Sequence, residues 1–142
     1  MLVVFLLYQL PAILHLTVQK FMTPMPYTIG HDQSLADAHA LMCKHDIRHL
    51  PVLKDGLLTG VVSQRDLYMI GTLEGLDLAQ LPVAEVMSTD IYAVGPRASL
   101  RRITEEMVTH GYGSALVMEG DEVLGIFTTT DALRALNGVL TA

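Results

Sequence analysis

The chain has 142 residues, about the size of one domain, and half of them are apolar, so it can bury a core and is not disordered. A net charge of −6 argues against a nucleic-acid phosphate surface but leaves room for a small phosphorylated ligand in a local positive pocket. The lone Cys43 excludes an internal disulfide and suits a reducing, cytoplasmic compartment; its place in a helical pattern predicts an inert core or boundary thiol.

Residues 1–16 are apolar and carry no Lys or Arg. They lack the basic start and small-residue cleavage site of a signal peptide. Tyr8, Gln9, Pro11 and His15 interrupt any run long enough to span a membrane. The segment is expected to pack on a second copy or a partner rather than to enter a bilayer, with a bend at Pro11.

The remaining elements read in chain order. Residues 18–22 form a short apolar turn, ended by Pro24 and Pro26, and residues 27–29 a brief extended piece closed by Gly30. Ser34 with Asp37 makes a capping box, and Leu35, Ala38, Leu41, Met42 and His45 follow at helical spacing. Leu50-Pro51-Val52-Leu53 predicts a strand in which Pro51 suits the start or an edge. Asp55-Gly56 predicts a hairpin turn, residues 57–63 the return strand, and residues 65–73 a closing helix with Leu67, Ile70 and Leu73 inward. The whole order then recurs. Residues 83–87 are a turn and residues 91–94 an extended piece. Ser99 caps a helix with Leu100, Ile103 and Met107 inward. Residues 115–118 and 122–128 are strands, and residues 130–137 close with Gly138 as C-cap.

This recurrence is a repeat at an offset of 65 residues. It pairs Met22 with Met87, Tyr27 with Tyr92, Ser34 with Ser99, His45 with His110, Gly60 with Gly125 and Asp66 with Asp131, without insertion or deletion. The predicted fold is α/β: two β-α-β-β-α units related by a pseudo-twofold axis and packed as one module. The boundaries are 17–75 and 83–138, with 76–82 as linker.

The chemistry concentrates where the last strand of each repeat meets the last helix. A glycine (Gly60, Gly125) allows close approach of another group, and a hydroxyl (Ser63, Thr128) stands at the helix start. A carboxylate (Asp66, Asp131) follows three residues on. A helix start offers free N–H groups to phosphate, and a carboxylate can accept both hydroxyls of a ribose. Taken alone, one such stretch reads as an ordinary capping box; its recurrence in register favours a nucleoside phosphate.

Met22-Thr23-Pro24, Ile47-Arg48-His49-Leu50-Pro51-Val52, Asp55-Gly56 and Gly60-Val61-Val62-Ser63-x-Arg65-Asp66-Leu67 resemble the first motif of a CBS-domain pair. Met87-Ser88, Gly113-Ser114-Ala115-Leu116-Val117 and Gly125-Ile126-Phe127-Thr128-Thr129-Thr130-Asp131 resemble the second. The resemblance implies a non-catalytic module that dimerises, binds adenine nucleotides or S-adenosylmethionine between its units, and reports occupancy to an effector protein. It assigns Asp66 and Asp131 to ribose, Ser63 and Thr128 to the hydroxyl before it, and Arg65 to phosphate, with Thr130 its uncharged counterpart. Arg48 and His49 match the basic pair before the strand bearing Pro51; Gly113 and Ser114, before Leu116, do not. Thr28, Ile29 and Gly30, with Ala93, Val94 and Gly95, match the extended segments whose backbone meets adenine. The two sites are therefore expected to be unequal.

Two rival readings are weaker. His45 and His49 have metal-ligand spacing, but Leu50-Pro51 ends the helix between them, and no nucleophile elbow or P-loop occurs. His45 and His110 read as helix-end residues that help satisfy terminal carbonyls, and the methionines as core. The expected protein is a stand-alone, homodimeric sensor of AMP, ADP, ATP, NAD or S-adenosylmethionine with no catalytic cofactor. The alternative is a scaffold without ligand that acts through its apolar N-terminus.

Overall fold

The computed structural model describes residues 3–4 and 15–141. The expectation for residues 1–16 falls almost wholly outside them. In chain order the elements are a 3-10 turn (Val18–Lys20), β1 (Thr23–Pro24), β2 (Ile29–Gly30), α1 (Leu35–His45), β3 (His49–Lys54), β4 (Leu57–Ser63) and α2 (Gln64–Gly71). A second 3-10 turn (Val83–Glu85), β5 (Ala93–Val94), α3 (Leu100–His110), β6 (Ser114–Glu119), β7 (Glu122–Thr128) and α4 (Thr129–Thr141) complete the chain. It is an α/β protein built from two copies of one unit, as the repeat predicts.

Two compact units form, Pro26–Ile91 and Met1–Met25 with Tyr92–Ala142. In the first, β2 runs parallel to β3 and β3 antiparallel to β4. Its core joins Leu35, Ala38 and Met42 of α1 to Leu50, Val52, Val62, Leu67 and Val83. The stripe follows from helical spacing on α1 and from alternation on the strands. Ser34 and Asp37 cap α1 reciprocally, and Asp46 ends it in the left-handed region at φ 51°. Asp55 and Gly56 both take positive φ, which a two-residue hairpin requires to match the twist of its strands.

The second unit repeats this plan on β5, β6 and β7, with β1 added beside β7. Val18, Leu100, Ile103, Met107, Ala115, Val117, Phe127 and Ala135 form its core. The hairpin register slips at the same place in both repeats, between Val52 and Leu53 and between Val117 and Met118.

Each compact unit draws its lead-in from the other repeat. Val83 N–H donates to Gln33 O, and Leu35 N–H to Leu81 O; 65 residues apart, Val18 N–H donates to Ala98 O and Leu100 N–H to Leu16 O. Ser88 and Val61 exchange hydrogen bonds beside β4, as β1 pairs with β7.

Several local expectations need correction. Pro51 lies inside the middle strand, paired with Val61, rather than at a start or edge. Its counterpart Leu116 shows why this is tolerated: Leu116 N–H points away from β7 to Tyr92 O, so the donor that proline lacks is not one the hairpin uses. α2 stops at Gly71, which leaves Leu73 exposed. Gly138 does not cap α4, which runs through it to Thr141, where the Thr141 hydroxyl donates to Asn137 O. Cys43 is exposed, with its sulfur 3.6 Å from His39 Nε2. Met25 and Met69 are exposed as well.

Candidate ligand site

The start of α2 is the better furnished of the two motif positions. β4 ends at Ser63, which keeps an extended backbone and caps the helix. Ser63 N–H donates to Asp66 Oδ2 at 2.8 Å, and Asp66 N–H donates to Ser63 Oγ at 3.2 Å. The capping box thus exists, and it engages one oxygen of a half-buried carboxylate; Asp66 Oδ1 has no hydrogen-bond donor among the described residues. His49 sits opposite Ser63 across the β3–β4 ladder, and Gln64 N–H donates to Arg48 O. Burial pushes the His49 pKa below its ordinary value of 6.5; Asp66 acts the other way, and Arg48 adds to the lowering. His49, Ser63 and Asp66 therefore converge where β3 begins and β4 ends, and the exposed Arg48 stands next to His49 in the chain. Arg65 is exposed on the first turn of α2. Thr28 is exposed, whereas the side chains of Ile29 and Pro51 are buried, so Ile29 and Pro51 can offer a ligand backbone only. Gly30 N–H is taken by Gln33 Oε1 at 2.9 Å.

The counterpart at α4 differs. Ser114 pairs with Thr128 as His49 does with Ser63, and Thr129 N–H reaches Gly113 O at 3.4 Å. Asp131, however, is buried. Its Oδ2 accepts from Thr128 N–H at 2.9 Å and Thr128 Oγ1 at 3.1 Å, and its Oδ1 accepts from Thr23 Oγ1 at 3.0 Å and Arg134 Nη1 at 2.9 Å. Thr130 is exposed and uncharged, Ala93 exposed, Val94 half-buried and Leu116 fully buried.

The repeat glycines are tight, but not around a ligand. A Cβ on Gly60 would stand 2.9 Å from Ser88 O, and one on Gly125 2.9 Å from Thr23 O. The group that approaches the backbone is the lead-in segment of the compact unit, so close approach is the right physics with a different occupant.

Sequence reasoning missed two further arrangements. Tyr27 stacks on His45 with ring centroids 3.7 Å apart, and Tyr92, Tyr112 and His110 stack in succession. The offset pairs Tyr27 with Tyr92 and His45 with His110, so the signal was there as repetition, not as contact. His45 does not satisfy the helix end: Asp46 and Ile47 N–H both donate to Met42 O. Thr23 and Arg134 carried no motif signal as partners of Asp131. Among the described residues no three His, Cys, Asp or Glu side chains converge, and no helix is long and apolar enough to cross a membrane.

Comparison with known proteins agrees with this architecture. The chain is 30% identical over 115 residues to the CBS domain-containing protein YhcV of Bacillus subtilis, covering 81% of each. A Vibrio cholerae structure described as an acetoin utilization protein (AcuB) superposes with a TM-score of 0.79 at 35% identity, over 90% of this chain and 95% of that one. The CBS domain pair of protein MJ0100, solved in complex with 5-methylthioadenosine and S-adenosyl-L-methionine, shares the fold at TM-score 0.79 and 21% identity, over 87% and 97% of the two chains. The CBS domain family model matches residues 18–70 and 83–138, and with these repeats the chain belongs to the CBS domain family as a CBS pair.

Proposed function

We propose that the chain is a regulatory, non-catalytic module that takes an adenosyl-containing ligand and signals its occupancy to a partner protein. The observation that carries this reading is the start of α2. There a half-buried Asp66 keeps one carboxylate oxygen unengaged, with His49 and Ser63 gathered beside it and Arg48 next to His49 in the chain. A carboxylate of that kind suits a ribose diol, and the Arg48 guanidinium and the helix start suit phosphate or another polar tail. The complex of MJ0100 with two adenosyl compounds supports the ligand class. Thr28 to Gly30 would offer backbone to the base, and Arg65 would meet phosphate. AMP, ADP, ATP, NAD and S-adenosylmethionine all fit this description. Signalling needs no chemistry: a ligand that binds one conformation more tightly raises its population, and an effector reads the change. The reading includes a cytoplasmic homodimer and the repeat boundaries 17–75 and 83–138.

The test is thermal unfolding with each of the five compounds. A ligand at ~100 times its Kd adds about 2.7 kcal/mol, a rise of several degrees. No shift with any of them refutes the sensing reading. A second reading then gains, that of an interaction scaffold. Its support is the exposed apolar side chains of Tyr68 and Met69 on α2 and of Leu133, Leu136 and Leu140 on α4.

A further inference from the structure

The two repeats carry the same acid at the same place but leave it in opposite states. Asp131 is 3% exposed, and each of its oxygens accepts from two donors. A carboxylate has about four acceptor positions, so this one is filled. Two of the donors belong to residues that the first repeat does not reproduce. Arg134 corresponds to Met69, and Thr23 to Ser88, whose hydroxyl makes no hydrogen bond to Asp66. Asp66 consequently retains an open oxygen and partial exposure. For Asp131 to accept a ribose diol it would have to release Thr23 and Arg134, losing two hydrogen bonds to a charged group in order to gain two.

We propose that Thr23 and Arg134 divide the labour between the repeats: Asp66 accepts ribose, while Asp131 is a structural tie holding β1 to α4, so the chain takes one adenosyl ligand rather than two. The ribose role of Asp66 rests on the sensing reading; the tie does not. Asp131 is thereby a structural residue whose acceptor positions are filled by Thr128, Thr23 and Arg134.

The experiment combines calorimetric titration of the full chain with AMP, S-adenosylmethionine serving as second probe, and thermal unfolding without ligand. The expected stoichiometry is one per chain. Asp66→Asn should weaken binding tenfold or more. Thr23→Val and Arg134→Met should each lower the unfolding temperature while affinity stays within twofold of the parent. These two variants carry the test even if Asp131→Asn fails to fold. Two equivalent sites per chain, or a tenfold loss of affinity in Thr23→Val or Arg134→Met, would overturn the division of labour. Unfolding temperatures unchanged in both variants would overturn the tie. If neither probe binds, the sensing reading and the ribose role of Asp66 fail together, and the unfolding temperatures alone decide the tie.

Discussion

Replacing Gly60 with alanine tests whether the repeat glycine serves the fold rather than a ligand. Its added Cβ would lie 2.9 Å from Ser88 O and 2.8 Å from Met87 Cγ. Met87 can rotate, but Ser88 cannot yield easily: its carbonyl accepts from Val61 N–H at 3.0 Å, and its N–H donates to Val61 O at 2.9 Å. The methyl must therefore displace a doubly hydrogen-bonded backbone. Overpacking of this kind costs about 1–3 kcal/mol, against which the stiffer unfolded chain returns about 0.4–1 kcal/mol. A net loss of about 1–2 kcal/mol corresponds to a fall of roughly 2–8 °C in Tm. Gly138→Ala is the matched control. It lies within α4 with nothing within 4 Å of the new methyl, and helix propensity alone should raise stability by about 0.5–1 kcal/mol. Thermal unfolding followed by circular dichroism reads both. A Gly60→Ala protein that melts at or above the parent would refute the argument, because no other contact would then explain a glycine at that position.

Three further outcomes are expected. Asp46→Gly should raise stability by about 0.5–1 kcal/mol in chemical denaturation, since Asp46 holds φ 51° where the second repeat uses Gly111 at φ 71°. Ser34→Ala should cost about 1 kcal/mol through its lost cap, with no effect on ligand affinity measured by calorimetry, because its capping box lies at the start of α1 rather than α2. His49 is held below its ordinary pKa of 6.5 chiefly by burial, so the unfolded chain binds the proton more readily. The stability linked to neutral His49 is complete above that value and is lost as pH falls through the lower, folded one; in His49→Gln, the drop in Tm between ~pH 7.5 and ~pH 5.5 should be smaller than in the parent.

How much was legible in the sequence depended on the range of each signal. Ser34 with Asp37 and Ser63 with Asp66 were readable because a capping box is written within four residues. The hairpin at Asp55-Gly56 was readable because its φ angles demand such residues. The exposure of Leu73 and the continuation of α4 through Gly138 were not: neither Gly71 nor Gly138 takes a left-handed φ, and helical spacing alone does not say which turn is the last. Pro51 misled because strand order is a long-range property. The state of Asp131 was the hardest to foresee: the Thr23 hydroxyl that engages it comes from 108 positions away.

The exchange of lead-in segments puts the unit of duplication out of step with the unit of folding. A lone ancestral repeat would contain a strand such as β4 but not the segment that pairs beside it, because Val61 finds its partner at Ser88, in the following copy. Such a chain could complete itself only by borrowing from a second molecule, as domain-swapped dimers do. Fusion of two copies turns that loan into an internal one and fixes its stoichiometry. By the same reasoning, Pro26–Ile91 is one uninterrupted stretch of chain inserted between the two parts of the other compact unit. Cutting the gene at the sequence repeat would leave both products short of a segment, whereas cutting at residues 25 and 91 would release one unit whole.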